Sequence, residues 1–388
     1  MSWFQWWARA VKTRIQGEEI DESKKRVALI IGVTGIVGNA IADTLPSSDT
    51  PGGPWKVYGV ARRPEPEWFA DSPVEYIRCD VLNKEETSSK LSPLEDVTHL
   101  FWMTWANRQS EEENCQVNAL MFRNVLDVLM QHARNLEHIV LQTGSKHYIG
   151  PFSYMGQFKS HDPPFFEEMP RLPVPNFYYN LEDILFETVK QKQGLTWSVH
   201  RPDVIFGFSP TSMMNIVGTM AVYASICREK GLAFVFPGNK LAWEYLMDAS
   251  DSQLIAEQEI WASVDPKGKN EAFNIANGDV FKWKKLWSLL ARKYDLEVPP
   301  YSGEPVSLQE LMKDKGPVWD EIVKKHNLVP TRLDEVATWW FADAWLNPTT
   351  EYVLSMNKSK DRGFFGYRDS EKSCLSCIDK MKEKKIIP

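Results

Sequence analysis

The sequence predicts an α/β protein built on a doubly wound parallel sheet. Three observations predict it. Strand-length runs alternate with amphipathic helical stretches, the fourth of these runs is apolar almost throughout, and the first of them opens through a glycine-spaced turn into a helix. That first unit reads Val27-Ala28-Leu29-Ile30, then Ile31-Gly32-Val33-Thr34-Gly35-Ile36-Val37-Gly38, then Asn39-Ala40-Ile41-Ala42-Asp43-Thr44-Leu45, with Ile36, Ala40 and Leu45 on one helical face. Glycine lets the backbone turn sharply and approach a ligand, while the free N–H groups and dipole of a helix start attract phosphate. Gly32, Thr34, Gly35, Ile36 and Val37 are therefore candidate contacts to the pyrophosphate of a dinucleotide.

The spacing Gly-x-x-Gly-x-x-Gly, in place of Gly-x-Gly-x-x-Gly, points to the short-chain dehydrogenase branch of dinucleotide binders. Residues 47–54, rich in serine, proline and glycine, read as a loop. The second strand, 55–61, ends at Arg62-Arg63. A ribose 2′-phosphate wants guanidinium groups where a free 2′-OH takes a carboxylate, so the pair argues for NADPH. The third strand, 74–81, ends in Asp80 and Val81, an acid placed to accept from the adenine amine. The fourth, 98–105, brings Thr104 and Trp105 beside the dinucleotide, because ligands sit at strand carboxyl ends. A helix over 111–133 carries Val117, Leu120, Met121, Val125 and Leu129 at core spacing. The fifth strand, 138–144, brings Gln142 and Thr143 to the same edge and runs into Ser145-Lys146-His147-Tyr148. Asn176-Phe177-Tyr178-Tyr179 opens a helix with Ile184, Leu185 and Val189, and the sixth strand, 196–200, leads through Arg201-Pro202 to Val204.

From about residue 208 the pattern loosens. Residues 212–227 read as an apolar helix whose Met213, Met214, Val217 and Met220 can line a pocket, with Ser212 and Met213 as candidate cofactor contacts. Helices over 252–262 and 282–293 flank a strand-like piece at 273–278. The tail, 308–388, is mostly helical, with Trp339, Trp340, Phe341 and Trp345 clustered before Asn347-Pro348, and no internal repeat is present. The expected division is an N-terminal amphipathic helix and linker over 1–26, a dinucleotide-binding core over 27–207 and a mostly helical substrate-binding part over 208–388.

With 388 residues, 43% of them apolar, the chain can bury a large core. A net charge of −7 without a long basic run argues against a nucleic-acid partner. Five cysteines, an odd number, suggest a reducing compartment and a cytoplasmic location. Cys374 and Cys377 have metal-like spacing but no second pair or nearby histidine, so no metal is expected. No stretch approaches the roughly twenty apolar residues of a membrane span. Trp3, Phe4, Trp7, Val11 and Ile15 recur at helical spacing with Arg9, Lys12 and Arg14 between them, as in an amphipathic helix that packs its tryptophans on the body. A homodimer stays open, since the sequence does not set the oligomeric state.

A short-chain dehydrogenase that reduces a carbonyl uses a tyrosine as proton donor and a lysine four residues later to lower its pKa. Here Glu182 stands four residues after Tyr178, and Asp183 four after Tyr179. The lysine has moved to Lys146, from which an ammonium can still reach the cofactor ribose and lower the potential around Tyr178. Lys146 and Tyr178 are the candidate catalytic residues, with Tyr178 also against the cofactor. The rearrangement favours hydride addition to the β-carbon of a conjugated C=C, with the enolate stabilised by a hydrogen bond from Tyr178. One alternative is a carbonyl dehydrogenase or epimerase of the same fold, which the missing Tyr-x-x-x-Lys argues against. The other is a non-catalytic NADPH-binding protein, against which the intact pair weighs.

The motifs Gly32-Val33-Thr34-Gly35-Ile36-Val37-Gly38, Gly59-Val60-Ala61-Arg62-Arg63, Gln142-Thr143-Gly144 with Lys146-His147-Tyr148, Asn176-Phe177-Tyr178-Tyr179, His200-Arg201-Pro202, Asn277-Gly278-Asp279-Val280-Phe281-Lys282-Trp283 and Ser355-Met356-Asn357-Lys358-Ser359 resemble plant progesterone 5β-reductases and iridoid synthases. The resemblance runs from the N-terminal tryptophans to Ile387-Pro388. It implies an extended Rossmann-like fold, NADPH, and 1,4-reduction of enones and enals by the residues matching Lys146 and Tyr178. It also implies substrates such as progesterone and 8-oxogeranial, whose reduced enol or enolate cyclises to nepetalactol-type iridoids. The partner is then a small hydrophobic enal or enone, held by Tyr148, Ile149, Phe152, Met213, Met214, Phe341, Trp345 and Tyr352. The stretch Thr104-Trp105-Ala106-Asn107-Arg108 looks closer to the steroid reductases. Ile149, Met247 and residues 345–354 depart from the family pattern, and apolar pockets discriminate weakly, so the substrate stays open.

Overall fold

The computed structural model describes residues 25–388, and the amphipathic helix expected near the N-terminus lies outside the described residues. Their strands are β1 (Val27–Ile31), β2 (Lys56–Ala61), β3 (Glu75–Arg78), β4 (His99–Trp102), β5 (His138–Gln142), β6 (Thr196–Pro202), β7 (Ile205–Phe206), β8 (Ser250–Asp251) and β9 (Glu271–Ile275). Seven of them form one parallel sheet in the order β3-β2-β1-β4-β5-β6-β9, while β7 and β8 pair separately. The expected doubly wound Rossmann-like architecture is therefore present.

The helices that cover it are α1 (Ile36–Thr44), α2 (Lys84–Leu91), α3 (Glu111–His132), α4 (Lys146–Ile149), α5 (Phe177–Val189), α6 (Ile216–Lys230), α7 (Lys240–Glu244) and α8 (Ser252–Val264), followed by shorter helices and a last one over Ser370–Glu383. β1 is buried along its whole length because it feeds two cores. Ala28 and Ile30 join Val37 and Ile41 of α1 and Leu254 and Ile255 of α8 on one face. Leu29 and Ile31 join Val125 and Leu129 of α3 and Leu181 and Leu185 of α5 on the other. Local chemistry starts the helices where the chemistry is needed. The Ser110 hydroxyl accepts the Glu113 N–H at the head of α3, and the Asn176 side chain accepts the Tyr178 N–H at the head of α5.

β1 lies between β2 and β4, so the direction of sheet growth reverses there and a crevice opens at the strand carboxyl ends. The third, fourth and fifth strands are shorter than the sequence suggests, whereas the sixth runs on to Pro202. The third and fourth end at Arg78 and Trp102, and the residues beyond leave the ladder to line that crevice. The seventh strand comes from beyond the boundary expected at residue 207. Asn274 of β9 ties it in: its side-chain oxygen accepts from the Tyr148 hydroxyl at 2.6 Å, and its amide donates to the Phe165 carbonyl at 2.9 Å and the Ser355 carbonyl at 3.2 Å. The Asn274 N–H also donates to Glu167 Oε1 at 2.8 Å.

One buried acid works against this packing. Glu259 of α8 is fully buried, and neither carboxyl oxygen has a hydrogen-bond partner among the described residues. Burial pushes its pKa well above the usual carboxylate range. A carboxyl raised in this way contributes stability that is present below its unfolded pKa and lost as pH rises toward the folded value. Glu259→Met is expected to stabilise the fold by on the order of 1–3 kcal/mol, and by more at pH 8 than at pH 5. Thermal unfolding at the two pH values checks this, and an equal gain at both would show that Glu259 is not neutral in the fold.

Candidate active site

A cleft of about 400 Å³ lies at the carboxyl ends of β1, β2 and β4. Gly32, Thr34 and Gly35 form its floor. Gly32 sits at φ +95° and donates its N–H to the Val60 carbonyl at 2.8 Å, and a Cβ there would stand 2.7 Å from the Met103 carbonyl oxygen. A Cβ on Gly38 would come within 2.2 Å of the Gly32 carbonyl, so glycine is what lets α1 start this close to the turn. Gly35 is the N-cap of α1 and makes no side-chain cap, which leaves first-turn N–H groups to meet a phosphate. This cradle is the feature that fits a dinucleotide.

Arg62 and Arg63 stand exposed on one rim. Arg63 is anchored, since its guanidinium donates to the Thr211 carbonyl at 3.2 Å and its own carbonyl accepts from the Tyr76 hydroxyl at 2.8 Å. Asp80 and Val81 form the wall beside them, with Asp80 Oδ1 accepting the Leu82 N–H at 3.1 Å. Thr104, Trp105, Ser212 and Met213 close the far end.

These last four residues and Gly35 also border a second cavity of about 130 Å³. Ile36, Val37, Gln142, Thr143 and Val204 line it from the sheet side, and Phe152, Met214, Phe341 and Trp345 from the outer side. Lys146 and Tyr178 meet inside it. Lys146 is 7% exposed, with Nζ 5.1 Å from the centre of the Trp105 ring, 4.5 Å from Phe177 and 4.8 Å from Tyr178. Burial brings its pKa down to about 8, against the opposing pull of Glu111 and Cys115. Burial, and then the charge of Glu111, push the Tyr178 phenol up. Asn176 links the two residues, donating to the Lys146 carbonyl at 2.9 Å and accepting the Tyr178 N–H at 3.0 Å.

The position four residues after Tyr178 serves the core. Glu182 is buried between two arginines, accepting from Arg201 and from Arg171 at 3.0 Å each, and Asp183 accepts from Arg171 at 2.7 Å. A lysine at 182 would leave Arg201 buried among cations, and the ammonium here enters from the start of α4 instead.

Of the residues expected in the substrate pocket, Tyr148, Ile149 and Tyr352 lie behind its wall. All three are buried, Tyr148 stacked on Phe165 and Tyr352 packed on Trp345, and none borders either cavity. The reason is geometric: α4 is a single turn that presents Lys146 to the cavity, which turns Tyr148 toward Asn274. Phe177, Gly144, Ser145 and Asp203 line the cavity without having been singled out from sequence. Asp203 lies against Asp248, and burial raises the carboxyls of both. Their separation along the chain gave no sign of the contact.

Gly144 is the closest of these to the chemistry. A Cβ there would stand 3.1 Å from the Tyr178 hydroxyl and 3.3 Å from the Pro202 carbonyl. Gly144→Ala is therefore expected to push the phenol aside and lower kcat by about tenfold, with nucleotide affinity unchanged. Steady-state kinetics beside a nucleotide titration check it, and an unaltered kcat would show that the phenol has room to spare.

Residues 28–388 match the family described as the PRISE-like Rossmann-fold domain. The chain belongs to the PRISE family. It is 58% identical over 394 residues to (S)-8-oxocitronellyl enol synthase CYC2 of Camptotheca acuminata and 56% identical over 392 residues to 3-oxo-Delta(4,5)-steroid 5-beta-reductase of Arabidopsis thaliana, in both cases over 100% of each chain. Solved structures at low identity show the same fold. UDP-glucose 4-epimerase from Thermotoga maritima superposes with a TM-score of 0.62 at 16% identity, covering 92% of this chain and 99% of that one.

Proposed function

We propose that this chain is an NADPH-dependent reductase of the C=C bond in hydrophobic α,β-unsaturated carbonyl compounds, with 8-oxogeranial and progesterone as the substrates to test. The names of its relatives, an enol synthase and a steroid 5-beta-reductase, support this choice. The observation that carries it is the buried Lys146 ammonium packed against the Tyr178 ring inside the second cavity, with no lysine four residues after the tyrosine. Arg62 and Arg63 favour a 2′-phosphate over a free ribose. Residues 27–207 then supply most of the nucleotide site, and residues beyond 208 close its far end and complete the substrate wall. The odd cysteine count favours the cytoplasm, and no helix among the described residues is long and apolar enough to cross a membrane.

When bound, reduced nicotinamide supplies the hydride. Tyr178 holds its proton, because its pKa is pushed up, and donates a hydrogen bond to the carbonyl oxygen that becomes negative as the β-carbon is reduced. Lys146, charged below about pH 8, adds a positive potential at the same oxygen. Phe152, Met213, Met214, Phe341 and Trp345 hold the hydrocarbon and exclude water.

The test is NADPH oxidation with 8-oxogeranial, progesterone, a small enone and a saturated aldehyde, with products identified by mass spectrometry. Loss of the conjugated C=C supports the proposal, and the preferred substrate names the activity. An alcohol made from the saturated aldehyde would overturn it in favour of a carbonyl dehydrogenase.

A further inference from the structure

We propose that Glu111 is the positioning residue of this site: its buried carboxylate holds the start of the tyrosine helix and keeps the Lys146 ammonium protonated inside an apolar cavity. The inference rests on Lys146 and Tyr178 being the working pair.

Glu111 is the first residue of α3 and is 5% exposed. Both of its oxygens are engaged. Oε1 accepts the Phe177 N–H at 2.9 Å, and Oε2 accepts the Asn114 side-chain amide at 3.0 Å. Phe177 is the first residue of α5, so the carboxylate sits at the positive end of the helix that carries Tyr178. It thereby fixes the backbone next to the phenol and the ring that forms one side of the Lys146 cage.

The charge matters as much as the bond. Lys146 Nζ makes no ion pair or hydrogen bond among the described residues, and rings surround it at three points. The ionisable groups that face it are Glu111 and Cys115 from α3 and Tyr178 from α5, while the adjacent His147 turns away toward the Met169 carbonyl and Glu182. The Cys115 thiol, pushed up to about 11 by burial, is uncharged at neutral pH, and so is the Tyr178 phenol. Glu111 is then the one negative charge among these groups. A single carboxylate keeps the lysine cationic and discourages ionisation of the tyrosine, which are the two protonation states the enolate needs.

Glu111→Gln can keep an acceptor for the Phe177 N–H and removes the charge, and Glu111→Asp keeps the charge on a shorter arm. Two readouts separate positioning from mere structure. One is the pH midpoint of Lys146 acylation by acetic anhydride, quantified by peptide mass spectrometry on the chain without cofactor. The other is the high-pH limb of the kcat profile. In Glu111→Gln both should move about one pH unit lower, with activity recovering at lower pH, and in Glu111→Asp the shift should be smaller. Midpoints equal to the native value in both variants would overturn the proposal, whatever happens to their unfolding temperature. Should Glu111→Gln fail to fold, the equally uncharged Glu111→Asn takes its place, and an unchanged midpoint there overturns the proposal while a lowered one supports it. If the native chain reduces no enone, the proposed function fails while the acylation midpoints still decide the role of Glu111.

Discussion

Lys146→Met is expected to lower kcat by about three orders of magnitude, some 4 kcal/mol of transition-state stabilisation, while the fold and nucleotide binding persist. Methionine has nearly the reach of lysine and suits the cage of Trp105, Phe177 and Tyr178, so packing survives and only the charge is lost. That charge acts in a cavity where low polarity magnifies it and the Tyr178 hydrogen bond is left to stabilise the oxygen alone. The same reasoning fixes the native pH dependence. Burial brings Lys146 to about 8, so kcat should hold below that pH and fall above it as the ammonium loses its proton. Steady-state rates across pH, beside thermal unfolding and nucleotide titration, provide the check. A variant within tenfold of the native rate would remove Lys146 from the mechanism.

Replacing Arg62 and Arg63 together by alanine should weaken NADPH binding by about a hundredfold and leave NADH binding nearly unchanged. Two charge-assisted hydrogen bonds to a phosphate justify that size, reduced because the rim is exposed and screened by salt. The loss should therefore shrink as ionic strength rises. Arg63 also holds the Thr211 carbonyl across the cleft mouth, so a smaller and equal loss for both nucleotides would be the mark of a rim that has merely loosened. Titration of each nucleotide at two salt concentrations separates the two results.

The parts of this site that were legible in sequence are those set by local rules. The glycine turn, the arginine pair at the end of β2 and the ends of β4 and β5 follow from strand periodicity and from the tendency of ligands to sit at strand carboxyl ends. The third and fourth strands read too long in the sequence, because Cys79, Val81, Met103 and Trp105 continue an apolar pattern after the strands have ended. Tyr148 and Tyr352 look like pocket aromatics in a linear motif, but which way a side chain turns is decided by partners far along the chain, Asn274 for one and Met155 for the other. Glu111 was invisible for the same reason. Three glutamates in the first turn of a helix read as ordinary dipole compensation, and only the approach of Phe177 distinguishes one from its neighbours.

The Asn274 side chain governs which pieces of relatives can be recombined. Two of its partners, the carbonyls of Phe165 and Ser355, belong to the backbone and are offered by whatever residue stands there, whereas the Tyr148 hydroxyl, and the Glu167 carboxylate that accepts the Asn274 backbone N–H, depend on identity. A chimera with a crossover between residues 148 and 355 therefore tolerates exchange of the tail, provided both parents supply that tyrosine, that glutamate and that asparagine. Pocket residues such as Met213, Met214 and Phe341 carry no such obligation. Substrate preference is thus free to drift, or to be shuffled, on a frame whose interlocking amide is inherited intact.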